Sequence, residues 1–221
     1  MTDTDIASGG RRGFITAALG TALAASLDAR AAPLLGVPGT ARLAAANAWL
    51  EIDLDVFDAN LRRVRALAGD AQLCAVLKAD AYGTGIDRVI PRLVAAGVGC
   101  VGIASTEEAR MVRACGYRGR VLRVRAATLG EVEAAWPHRV EELVGNLAVA
   151  QTLAALARRR RRALPVHLAL NSAGMGRNGL ELATGQGRHD AVALVAAEGL
   201  RVVGLMTHFP SEDPADVRAG V

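Results

Sequence analysis

The chain of 221 residues has a single lysine, Lys78, and draws the rest of its 26 basic residues from arginine. Arginine cannot condense with a carbonyl, so chemistry that needs a side-chain amine has one place to occur. Chance survival of one lysine is the plainer alternative, which makes Lys78 a pointer to chemistry and not proof of it. Long apolar runs are missing as well: the stretch from Gly13 to Leu27 falls short of the roughly 20 residues a membrane-spanning helix needs, so no membrane anchor is expected. Concentrated charge is scarce, because the net +4 and pI near 9.5 arise from basic residues spread among 22 acidic ones. A nucleic-acid partner is therefore not expected. No glycine-rich phosphate loop follows the first strand pattern, which argues against an open doubly wound sheet. The 52% apolar content is enough for one buried core and excludes a disordered chain.

Residues 11–31 read RRGFITAALGTALAASLDARA: an arginine pair, an alanine-rich apolar stretch ended by Asp28 and Arg30, then an Ala29-x-Ala31 site. This segment resembles a twin-arginine export signal cleaved after Ala31, which predicts a periplasmic protein whose residues 32–46 form a linker. An oxidising compartment would let two of Cys74, Cys100 and Cys115 pair. Cys74 and Cys100 fall in consecutive strand patterns, and neighbouring parallel strands lie about 4.8 Å apart, so they are the reachable pair. Buried free thiols are the alternative.

From Ala71 onward, short β-branched runs alternate with helical patterns rich in alanine, leucine and arginine, the mark of βα units on a parallel sheet. Six strands are expected, near 72–77, 99–104, 120–124, 140–144, 166–170 and 201–206. Ser105 followed by Glu108 reads as a capping box, and Gly97, Gly116 and Gly199 stand where helices should stop. The fold class is thus α/β, a TIM-like (β/α)8 barrel represented over 56–221 by about six of its eight units. Upstream, residues 47–55 read as a lone strand, followed by a helix. A lone strand needs a partner, so it is expected to pair with a C-terminal β domain that these 221 residues do not contain. The five arginines Arg158 to Arg162 read as a solvated helix end, with an anion-binding patch as the lesser alternative.

The segment AVLKADAYGTG, residues 75–85, puts Lys78 at the C-terminal end of the first barrel strand, the face where barrels carry their active sites. It resembles the pyridoxal-phosphate lysine motif of the alanine racemases, and AWLEIDLDVFDANLRRVRAL resembles the strand and helix before it in that family. Two further segments, HLALNSAGMGRNGLE and VGLMTHFPSEDPADV, resemble the family's loop with a Met-x-Arg core and its strand end with a Thr-His-Phe core. The resemblance spans about residues 45–221. It implies that Lys78 holds pyridoxal 5'-phosphate as a Schiff base and that Tyr82 hydrogen-bonds the phosphate. It further implies that Arg177 lies near the ring hydroxyl and the substrate carboxylate, and that His208 packs beside the pyridine ring.

The departures point to one branch of the family. Thr84 stands where histidine is usual, no second lysine exists to be carbamylated near Arg177, and Asn171 replaces the usual aspartate. The NSAGMGRNG wording, the export signal and the cysteines resemble the periplasmic broad-specificity amino-acid racemases, which implies a Cys74–Cys100 bridge. The function implied is racemisation of small-molecule amino acids between L and D forms by a homodimer, with no metal. A second catalytic base, a tyrosine from another domain of the neighbouring subunit, lies in neither Tyr82 nor Tyr117. A fragment of this length is expected to be inactive alone. The competing class is a non-catalytic pyridoxal-phosphate-binding barrel of similar length, which generally lacks an export signal and the Tyr-Gly pair after the lysine.

Overall fold

The computed structural model describes residues 50–172 and 179–209. The chain divides into Met1–Glu51 and Ile52–Val221, and the fold described is that of the second unit. It opens with helix α1 (Leu54–Ala68), whose start is fixed by Asp53: the carboxylate accepts from the backbone N–H groups of Asp55 and Val56 at 2.9 Å. Strand β1 (Cys74–Val76) follows, then a five-residue turn, Lys78–Tyr82, and helix α2 (Ile86–Ala95). The remaining units are β2 (Cys100–Ile103) with α3 (Thr106–Ala114), β3 (Arg120–Arg123) with α4 (Leu129–Ala135), β4 (Val140–Val144) with α5 (Leu147–Arg159), and β5 (Leu164–Leu170) with α6 (Gly185–Val195). Strand β6 (Leu200–Thr207) closes the described sheet.

All six strands are parallel and stand in sequence order, each paired with the next, which is the topology of a barrel wall and not of a doubly wound sheet. Alternation along the strands separates two faces. The outward set, including Val101, Ile103, Val121, Val140, Val144 and Val166, is buried against Ile86, Ile90, Leu93, Val112, Leu153 and Leu156 of the helices. This helix-side layer is the core. The inward set carries Cys74, Cys100, Glu141, His167 and the cavity described below.

Gly97, Gly116 and Gly199 have φ of 69°, 85° and 99°, left-handed values that end α2, α3 and the segment after α6 as expected. Of the segment 47–55 expected as a strand, residues 50–53 have no regular structure, and Leu54 begins α1 with Asp53 as its cap. The arginine run does end α5, and two of its members are tied down. Arg158 donates to the Glu198 carbonyl at 2.8 Å, and Arg162 donates to the Trp136 carbonyl at 2.9 Å while stacking 4.5 Å over that indole. Tyr117 is a packed core aromatic whose hydroxyl donates to the Val98 carbonyl at 2.9 Å, and burial pushes its phenol up to about 12.

One buried ion pair crosses the helix-side layer. Arg123 on β3 and Glu142 on β4 are both within 1% of full burial, with Nε to Oε2 at 2.7 Å. Arg123 also donates to the Ala104 carbonyl and Thr106 Oγ1, each at 3.3 Å, and so fastens β3 and β4 to the loop that follows β2. Burial pushes the Glu142 carboxyl up, and the guanidinium opposes that push.

Candidate active site

The C-terminal ends of β1, β3, β4, β5 and β6 surround a cavity of about 360 Å³. Small-molecule sites typically measure roughly 300–1,000 Å³. Val76, Leu143, Ala169, Leu170 and Met206 make most of its wall, and Lys78, Tyr82, Arg125, Thr207 and His208 bring the polar chemistry. The Lys78 amine sits 5.6 Å from the centre of the Tyr82 ring, which is itself 65% exposed. Three of the four expected cofactor residues, Lys78, Tyr82 and His208, therefore meet at one cavity. Arg177 lies outside the described residues. Nearby, Ser172 Oγ donates to Thr207 Oγ1 at 2.8 Å, and the Asn171 amide donates to Glu181 Oε2 at 2.8 Å.

The turn that carries Lys78 has the wrong hand for an L-peptide. Ala79, Asp80, Ala81 and Tyr82 have φ between 53° and 56°, so one turn of left-handed helix follows the lysine. Such a residue costs about 1–2 kcal/mol, and four in succession persist only where the surroundings dictate them. Several contacts do so. The Ala81 N–H donates to the Leu77 carbonyl at 2.8 Å, those of Gly83 and Gly85 donate to Ala79 and Asp80 carbonyls at 2.9 Å, and the Asp80 carboxylate accepts from the Ile86 N–H at 2.8 Å. Gly83, at φ 84°, then ends the turn.

Arg125 is the site residue that the sequence reading missed. It follows β3 and is held by Glu131, the third residue of α4, through a two-pronged contact in which Nη1 lies 3.2 Å from Oε2 and Nη2 reaches Oε1. Glu131 also closes a capping box with Thr128, accepting from that residue's N–H at 2.9 Å. The Thr-x-x-Glu pattern is legible in the sequence and could have drawn attention to the loop before it. Arg125 and then the Thr128 N–H hold the Glu131 carboxyl down at about 2, against an ordinary 4.5. A carboxyl lowered by folding adds stability above its unfolded value and loses it as pH falls through the folded one. Glu131→Gln is thus expected to lower Tm at neutral pH and to have the Tm of the parent chain once both are below about pH 2, which a thermal melt series across pH measures.

On the inward face, Glu141 accepts from Arg120 Nε and Nη2 at 2.9 and 2.8 Å and lies 2.7 Å from His167 Nε2. Burial pushes the Glu141 carboxyl up, but Arg120 and His167 outweigh it and leave it below the usual range. Cys74 and Cys100 are register partners, with sulfurs 3.3 Å apart that share a hydrogen bond and are not bonded covalently. That shared hydrogen bond pushes the Cys74 thiol up and the Cys100 thiol down. Among the described residues no group of three or more His, Cys, Asp or Glu could hold a metal ion, and no helix is long and apolar enough to cross a membrane.

Comparison with known proteins agrees with this geometry. The broad specificity amino-acid racemase of Pseudomonas taetrolens is 50% identical over 213 residues, covering 95% of this chain and 52% of the relative. That of Aeromonas hydrophila subsp. hydrophila is 50% identical over 179 residues, covering 80% of this chain and 44% of the relative. The chain thus spans about half the length of the curated relatives it matches. In fold, it superposes on the alanine racemase of Clostridium difficile 630 with a TM-score of 0.73 at 24% identity, covering 80% of this chain and 47% of that one. The family model for the N-terminal domain of alanine racemase matches residues 52–220, and with parallel βα units in barrel order over the described residues of that span the chain belongs to the alanine racemase N-terminal domain family.

Proposed function

We propose that this chain is the cofactor-binding barrel portion of a pyridoxal-phosphate-dependent amino-acid racemase. The observation that carries the reading is the placement of the only lysine in the sequence on the wall of the C-terminal cavity, beside Tyr82 and His208. The donor set suits the cofactor: a primary amine for an aldehyde, a phenol for a phosphate, and an imidazole and a guanidinium beside a ring. Lys78 would hold the cofactor as a Schiff base, Tyr82 its phosphate and His208 a side of its ring, with Arg177 and Arg125 as the cations facing the ring hydroxyl and substrate carboxylate. When bound, pyridoxal phosphate supplies the electron sink that lets an α-proton leave an amino acid.

The residues of this chain provide the rest of the chemistry. The Lys78 amine stands at one face of the cavity and moves the proton on that side. Inversion needs a second base on the opposite face, which we assign to a tyrosine of the partner subunit in a homodimer. The wall of Val76, Leu143, Ala169, Leu170 and Met206 gives the reacting carbon a largely apolar surround. Broad specificity, in preference to strict alanine use, is supported by the Pseudomonas and Aeromonas relatives, both broad specificity amino-acid racemases.

Residues 1–31 are proposed to direct export to the periplasm, supported by the arginine pair and the Ala-x-Ala site. There, two-electron oxidation by a disulfide exchange partner would join Cys74 to Cys100, supported by their shared register and facing sulfurs. Alkylation of the exported protein is expected to label Cys115 alone before reduction and all three cysteines after it. Labelling of all three without reductant would remove the bridge. The test of the main reading is spectroscopic: mix the purified chain with pyridoxal phosphate, record the visible band, reduce with borohydride and map the adduct. An adduct on Lys78 is expected, whereas a folded sample with no adduct there would sink the assignment.

A further inference from the structure

Helix α3 begins at the C-terminal end of β2, and Glu108 completes its capping box in the ordinary way. Its Oε2 accepts from the N–H groups of Ala104 and Ser105 at 2.7 and 3.1 Å, while Ser105 Oγ accepts from the Glu108 N–H at 3.1 Å. A capping box needs only that oxygen. The other one, Oε1, accepts from the Ala79 N–H at 2.7 Å, across 29 residues of sequence. Ala79 immediately follows Lys78 and is the first residue of the left-handed turn.

We propose that Glu108 is a positioning residue that holds the turn after Lys78 in its left-handed form and so sets the direction of the Lys78 amine. The inference rests on the reading of Lys78 as the cofactor lysine for its catalytic meaning, but the structural claim stands by itself. The turn secures its far end through Asp80 and its middle through internal bonds, all of which lie within residues 77–86. The first N–H of any helical turn lacks an internal acceptor. At Ala79 that acceptor is a carboxylate on the neighbouring βα unit, a charge-assisted bond that ties the lysine loop to the barrel frame. The next unit repeats the device, since Glu131 caps α4 and reaches Arg125. In both cases the oxygen left over from a helix cap is used on the loop beside the cavity.

The test compares Glu108→Gln with Ser105→Ala in the full chain, using wild type and Lys78→Ala as references. Gln keeps the size of the side chain but has one accepting oxygen, so it cannot serve both Ala79 and the helix cap. Ser105→Ala weakens the same cap and leaves both Glu108 oxygens in place. Amide hydrogen exchange across residues 79–83 is expected to rise about tenfold or more in Glu108→Gln and to stay within about twofold of wild type in Ser105→Ala. With pyridoxal phosphate added, condensation of the Lys78 amine with the aldehyde, releasing water, should slow by a similar factor in the first variant only. Equal exchange and equal condensation rates in the two variants would overturn the proposal, whatever their shared loss of Tm. If wild type forms no Lys78 adduct at all, the cofactor reading fails, and the exchange comparison alone still decides whether Glu108 holds the turn.

Discussion

Glu142→Ala is expected to destabilise the folded chain by about 3–5 kcal/mol, enough to unfold much of it at room temperature. The substitution removes the carboxylate from a fully buried guanidinium and, among the described residues, leaves Arg123 with the Ala104 carbonyl and Thr106 hydroxyl at 3.3 Å as acceptors. Neither neutralises a charge, and no solvent reaches it. Replacing both members should behave differently. An Arg123→Met, Glu142→Leu double variant fills a similar volume with apolar atoms and no longer strands a charge, so it is expected to lie within about 1 kcal/mol of the parent or above it. Urea midpoints of the parent, both single variants and the double variant measure this as a cycle. If the double variant is as unstable as either single one, the pair is stabilising in its own right, and the desolvation argument is wrong here.

That pair also shows where the sequence stops being legible. The β-branched runs and helix-stop glycines are local signals, and all six strands overlap the expected ranges, with β5 and β6 running one or two residues beyond them. Arg123 and Glu142 sit inside two of those runs and look like ordinary edge charges, because burial on both sides depends on which helix covers the strand. The end of the segment 47–55 was ambiguous for a related reason: its alternation of apolar and acidic residues suits a strand, while Asp53 followed by LDVFDANL suits a helix start, and α1 begins at Leu54. Lys78, Tyr82 and His208 were legible because the resemblance carried them, and the fold then showed that they share one cavity. The left-handed turn between Lys78 and Gly83 was not legible at all: alanine and tyrosine rarely adopt positive φ, and the bonds that hold the turn reach beyond it, from Ala79 to Glu108 and from Asp80 to Ile86. Arg125 was missed since an arginine among 25 carries no mark until Glu131 is seen to hold it.

The largest functional effect is expected from Lys78→Ala, which should abolish the visible Schiff-base band and reduce borohydride-fixed label to the level at the chain's amino terminus. The composition makes this result unusually clean. In most proteins a deleted cofactor lysine leaves many other lysines to form adventitious adducts, whereas here the other 25 basic residues are arginines, whose guanidinium does not condense in this way. Lys78→Arg should fail equally, although it keeps the positive charge beside Tyr82, and that separates a requirement for an amine from a requirement for charge. Folding should survive both changes: Lys78 is only half-buried and accepts no structural burden through its side chain, while the turn after it is held by backbone bonds and the Glu108 and Asp80 carboxylates. A far-ultraviolet spectrum and Tm close to the parent's are therefore expected alongside the missing band. Retention of the band in folded Lys78→Ala would move the cofactor elsewhere and dissolve the reading of the cavity, because no second side-chain amine exists to take over the role.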